Sequence, residues 1–131
     1  MTLAKWDDGY VVYRDPRRED PLFYYLLKDD WANAVGIKVE PDYNERQAKN
    51  ITIYLHLLRP LVANLEQRRV VYNRALPEIL KFYPNSESIT LRDEYLPEMM
   101  SDAEFRNLFV KVGFAPEQET TNRNELVWRR S

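Results

Sequence analysis

Cysteine is absent from this chain of 131 residues, glycine occurs three times and histidine once. Without cysteine there is no disulfide and no thiolate metal site. The single histidine, His56, rules out a multi-histidine zinc centre, and a serine–histidine–aspartate triad would have to use it. The glycines, Gly9, Gly36 and Gly113, stand far apart, so the chain has no glycine-rich phosphate loop and no G-x-S-x-G nucleophile turn. No apolar run approaches the ~20 residues that cross a bilayer. The opening "MTLAKWDDGYVV" is charged by Lys5, unlike a secretory leader. These absences point away from a membrane, a metal and a cofactor, and make the cytoplasm the expected setting.

Hydrophobic residues make up 44% of the chain and charged residues 31%, a balance that folds rather than stays disordered. A chain of this length buries roughly two thirds of its unfolded surface, which suits one domain over residues 1–131. Aromatics reach 13%, with nine Tyr, three Trp and five Phe. Most will fill the core, and those at the surface suit an interface. The net charge of −2 is unevenly placed. Residues 1–42 hold 6 basic and 9 acidic side chains, residues 43–76 hold 6 and 2, and residues 77–131 hold 7 and 10. A basic middle third between acidic flanks either attracts phosphate or an acidic partner, or is satisfied within the protein.

The pattern predicts an α+β, mostly helical domain in three portions. In the acidic portion 1–42, "GYVVYR" (9–14) reads as a strand. "DPLFYYLLKDDWANAVG" then reads as a helix, with Asp20 as cap, Pro21 in the first turn and Gly36 at the exit. "IKVE" before Pro41 is extended. In the basic portion 43–76, Ile51, Tyr54, Leu55, Leu58, Val62, Leu65 and Tyr72 share a helical stripe, which predicts a long central helix kinked at Pro60. Residues 51–58 also alternate as a strand would, and both readings stay open. In the portion 77–131, Pro77 opens a short helix and "ITL" (89–91) is a strand. "RDEYLPEMM" is a helical turn ending near Pro97. Ser101 and Glu104 form a capping box for a helix that stops at Gly113. "FAPEQETT" and "ELVWRR" are strands joined by a turn at 122–124.

The order of "ITL", the capped "SDAEFRNLFVKVGF" and the terminal "ELVWRR" resembles the winged helix-turn-helix superfamily over about residues 70–130. The resemblance implies a helix that enters a DNA groove and a hairpin wing that touches phosphate. Arg106, Asn107 and Lys111 would then face bases or backbone, with Arg123 in the wing. Asp102 and Glu104 in the first turn oppose that reading, because they repel phosphate.

Weighing these features, the expected function is a non-enzymatic module that binds a protein partner, one of basic character, through Tyr24, Trp31, Arg123, Trp128 and Arg130. The alternatives are a nucleic-acid-binding regulator and an enzyme built on carboxylates. "RRVVYNR" (68–74), near Arg59, is a second basic candidate. The acidic pairs Asp7–Asp8 and Asp29–Asp30 match no metal-binding loop.

Overall fold

The computed structural model describes residues 1–19, 22–44, 46–55, 64–117 and 124–131. Its organising element is one sheet of eight strands, ordered β1-β2-β3-β4-β5-β6-β8-β7. The strands are β1 (Thr2–Lys5), β2 (Tyr10–Glu19), β3 (Leu22–Lys28), β4 (Asp30–Pro41), β5 (Asn50–Leu55), β6 (Ser88–Arg92), β7 (Phe114–Pro116) and β8 (Glu125–Arg130). The helices are α1 (Leu65–Leu80), α2 (Leu96–Met100) and α3 (Ala103–Lys111). The protein is therefore dominated by its sheet, which corrects the expectation of a mostly helical domain. No described helix is long and apolar enough to cross a membrane.

Strands β1 to β4 form an antiparallel meander in chain order. Here residues 22–36 of the helix predicted over 20–36 belong to a hairpin of β3 and β4, and its expected cap Asp20 and first-turn Pro21 lie outside the described residues. The Asp–Pro that resembled a helix start is equally a turn signal, and short apolar runs do not separate helix from strand by periodicity. Runs such as "LFYYLL" and "AVGIKV" are aromatic and β-branched, and packing against neighbouring strands decides in their favour. Gly36 lies within β4 and pairs with Tyr25 rather than ending a helix. The β3–β4 turn passes through Asp29 at φ 67°, a left-handed conformation that aspartate tolerates. Gly9 faces it at φ 93°, and a Cβ there would lie 2.5 Å from Asp29 Oδ1. Glycine is the residue that fits that position.

Residues 50–55 are a strand, which answers the open question over 51–58 for its first five residues. Ile51 and Ile53 are buried beneath the helices, and Thr52 and Tyr54 face the other way. Residues 56–63, with His56, Arg59 and the expected Pro60 kink, lie outside the described residues. The central helix begins only at Leu65. Asn64 caps it, its side chain accepting from the Gln67 N–H at 2.9 Å. Pro77 sits inside this helix instead of opening another. β5 and β6 pair in parallel from Asn50↔Ser88 to Tyr54↔Arg92, so α1 serves as the crossover between them.

The C-terminal elements were placed well but connected wrongly. β6, α3 and the β7–β8 pair exist. α2 starts at Leu96, with Pro97 in its first turn, rather than stopping there. The cap of α3 is Asp102, which accepts from the Glu104 N–H at 2.9 Å, while the Ser101 hydroxyl donates to the Glu98 carbonyl. Gly113, at φ 94°, ends α3 as expected. The hairpin is not a free wing, because β8 pairs with β6 on its other side and is built into the large sheet. That removes the basis of the winged-helix resemblance.

The core lies on one face of the sheet. Tyr24, Ile37, Ile53, Leu91 and Trp128 point into it and meet Val71, Tyr72, Leu76, Phe105 and Phe109 from the helices. Trp128 stacks on Phe109 with centroids 4.3 Å apart. Among the described residues, the arginines of α1 are paired with the acidic flanks. Arg68 pairs with Asp93, Arg69 with Asp102 and Glu104, and Arg74 with Asp8.

Candidate functional site

Sheets that contain parallel strands bind ligands beyond the carboxyl ends of those strands. Among the described residues β5 and β6 are the one parallel pair, and their last paired residues are Tyr54 and Arg92. The register extends this pair in both directions. Lys38 of β4 lies opposite Tyr54, and Glu125 of β8 lies opposite Arg92. Lys38, Tyr54, Arg92 and Glu125 therefore form a row across four strands, on the face away from the helices. Glu40, two residues along β4 from Lys38, joins it on that face.

The row is tied together by polar contacts. The Tyr54 hydroxyl donates to Glu40 Oε1 at 2.9 Å. Lys38 Nζ lies 3.4 Å from the same oxygen and 5.1 Å from the Tyr54 ring centroid. Arg92 Nε donates to Glu125 Oε2 at 2.8 Å. The Tyr54 hydrogen bond, with Lys38 behind it, holds the Glu40 carboxyl below the usual carboxylate range. Tyr54 and Glu40 in turn raise the Lys38 ammonium. The row thus presents ionised carboxylates and cations side by side, all within reach of solvent.

Directly behind it, on the helix face, is a buried network. Asp93 follows Arg92 in sequence and accepts from Arg68 at 2.6 Å and from the Tyr72 hydroxyl at 2.9 Å, both at Oδ2. Its Oδ1 accepts the Tyr95 N–H. The Arg68 guanidinium lies 4.3 Å from the Tyr95 ring centroid. Arg68 Nε has no hydrogen-bond partner among the described residues. Burial pushes the Tyr72 phenol well above its usual range, with the Asp93 charge adding to the effect. This network fixes the end of β6 to α1.

A cavity of about 340 Å³ opens at the start of α1, lined by Tyr10, Leu26, Asn64, Glu66, Gln67 and Val70 among others. It is poorly furnished for phosphate. Residues 56–64 contain no glycine to cradle an anion, Asn64 is already spent on capping, and Glu66 adds a negative charge.

The sequence-predicted residues are scattered over the fold. Tyr24 and Trp128 are fully buried core side chains, not surface contacts. Trp31 is exposed and stands edge-on to Tyr13 and Tyr25. Arg130 donates to the Ser86 carbonyl and lies over the Phe114 ring. Arg106 donates to the Met100 carbonyl. Asn107 and Lys111 line a groove between α1 and α3. Arg123 lies outside the described residues. Among the described residues no group of three or more acidic or histidine side chains could hold a metal. The polar row itself went unread. Its one local trace is that Lys38 and Glu40, like Thr52 and Tyr54, occupy the polar phase of alternating strands. What gathers them is pairing between distant strands.

No family model matches this sequence, and no curated protein matches it. Solved structures do. An uncharacterized protein from Bacillus halodurans aligns at TM-score 0.53 with 11% identity, over 87% of this chain. This chain spans 60% of that structure's length. A structure provisionally described as a phosphinothricin N-acetyltransferase aligns at TM-score 0.46 with 18% identity, over 86% of this chain and 70% of the other. A chimera of Vibrio cholerae spermidine N-acetyltransferase aligns at 0.41 with 16% identity, over 95% and 66%. At 11% identity the likeness to the first of these is one of fold, and the eight-stranded mixed sheet with its crossover helix is not a winged helix. The expected non-enzymatic interaction module is corrected by the structure itself: of the surface contacts it relied on, Tyr24 and Trp128 are buried in the core, and Arg130 is engaged within the chain.

Proposed function

We propose that the protein is a group-transfer enzyme that passes an acyl group to an amine nitrogen at the carboxyl ends of β5 and β6. The observation that carries the reading is the row Lys38–Tyr54–Arg92–Glu125 with Glu40, set across four strands where a mixed sheet binds ligands. Such a transfer needs charges of both signs in one place, and the row supplies them. Glu40 and Glu125 hold the cationic acceptor. Arg92 and Lys38 face the carbonyl oxygen and stabilise the negative charge that grows on it. The bound ammonium first gives up one proton to water, and the neutral amine nitrogen then forms its bond to the acyl carbon while the carbonyl electrons move to oxygen. They return as the bond to the leaving group breaks, and the leaving group departs with that electron pair. The second proton, shed by the nitrogen once the bond has formed, passes by way of Glu40, directly or through the Tyr54 hydroxyl, to the leaving group. A cytoplasmic setting belongs to this reading.

The test is incubation of the purified protein with an acetyl thioester and a panel of primary amines, with products read by mass spectrometry. An acetylated amine is expected, and Arg92→Gln should slow its formation about 100-fold, the scale of a lost oxyanion donor. The reading fails if no amine in the panel is acetylated, or if Arg92→Gln and Glu40→Gln both match the unaltered protein.

A further inference from the structure

α1 and α3 lie side by side and run in the same direction. Arg69, near the start of α1, reaches Asp102 and Glu104 at the start of α3, while Val112, just past α3, lines a cavity with Pro77 and Leu80 near the end of α1. Between the helices runs a groove of about 360 Å³. Its floor is Val70 and Leu108.

The groove is electrically bipolar. Glu66 and Glu104 stand at its upstream end beside Asp102, with Arg69 as the cation among them. Lys111 stands at its downstream end, seven residues along α3 from Glu104, or about 10 Å at the helical rise. Among the described residues nothing pairs with Lys111, nor with the amides of Asn73 and Asn107 that flank the floor. A uniformly basic partner would be attracted at one end and repelled at the other, and so would a uniformly acidic one. A second copy turned about a two-fold axis meets both ends correctly. Lys111 of each copy then lies against Glu66 and Glu104 of the other, with the apolar floor residues Val70 and Leu108 near the axis.

We propose that the α1–α3 groove is a self-complementary interface through which two copies of this chain associate. Because the symmetry repeats every contact, one charge reversal breaks two sets of ion pairs. Sedimentation of the full chain at increasing concentration is expected to give a dimer that dissociates as salt is added. Lys111→Glu is expected to weaken the dimer at least about tenfold. Lys111 is exposed and unpaired among the described residues, so this variant should fold, as circular dichroism will show. Mixing it with the Glu66→Lys, Glu104→Lys variant is expected to restore a mixed dimer. The proposal is overturned if the chain sediments as a monomer at all concentrations. It is overturned equally if Lys111→Glu leaves a dimer unweakened, or if the mixed variants fail to pair. None of these readouts depends on catalytic activity.

Discussion

Arg92 and Asp93 are neighbours in sequence, yet they belong to two quite different charge clusters. The pleat of β6 sends Arg92 to the open face, where it pairs with Glu125 at side-chain exposures of 54% and 32%. Asp93 goes to the helix face, where its pair with Arg68 has both side chains at 2%. The same chemistry therefore has different worth on the two sides. In water the pair gains little, because solvent screens the attraction and long side chains lose freedom. In the core both the attraction and the cost of desolvation are large, so breaking the pair costs far more than its net contribution when whole. The buried cluster secures the end of β6, and the open row remains available for chemistry.

The largest effect should follow from breaking the buried side. Asp93→Ala leaves the Arg68 charge unpaired in the core and is expected to cost about 3–5 kcal/mol, measured by urea unfolding. The comparison sharpens if Arg68→Met and Asp93→Leu are combined, because a well-packed apolar pair should recover most of that loss. A double variant as unstable as Asp93→Ala would show that geometry rather than uncompensated charge sets the cost.

Next in size is Tyr72→Phe, which removes a hydrogen bond to a charged acceptor and should cost about 1.5–3 kcal/mol. It also tests pH dependence. The Tyr72 pKa is raised in the folded state. Its contribution is therefore whole below the ordinary phenol value of about 10 and is lost as pH climbs beyond it. Unfolding followed into the alkaline range should show a fall in stability that is shallower in Tyr72→Phe.

On the open side, Glu125→Gln should cost less than about 1 kcal/mol, and added salt should shrink even that difference. A cost comparable to that of Asp93→Ala would break the comparison outright. The smallest effect concerns acid. The Glu40 pKa is lowered in the folded state, so its contribution is present above the ordinary glutamate value of about 4.3 and is lost below it. Glu40→Gln should slightly flatten the acid limb of the stability curve.

Much of the C-terminal region could be read locally. The helix at 103–111 has its stripe of Phe105 and Phe109 and a glycine at its exit, and each of these signals lies within a few residues of the others. The N-terminal region could not be read the same way. Phe23, Leu27, Trp31 and Ala34 recur at helical spacing, but Tyr24 and Leu26 become core residues only because β2 and β4 lie on either side of them. The candidate site was the least legible part. Lys38, Tyr54, Arg92 and Glu125 are spread over 88 positions of the chain, from 38 to 125, and strand register alone sets them in line.

The sequence by itself determined what chemistry is excluded: no thiolate, no multi-histidine metal centre and no glycine-built phosphate cradle. It also determined that acidic flanks would be on hand to neutralise a basic middle, and where the last helix ends. These follow from composition and from interactions within a turn or two of helix. The tertiary structure alone decided that residues 22–41 are strands, that β8 lies between β6 and β7, and that two neighbouring residues face opposite environments. Sheet pairing is an interaction between segments far apart in the chain. Its free energy depends on partners that no local window contains.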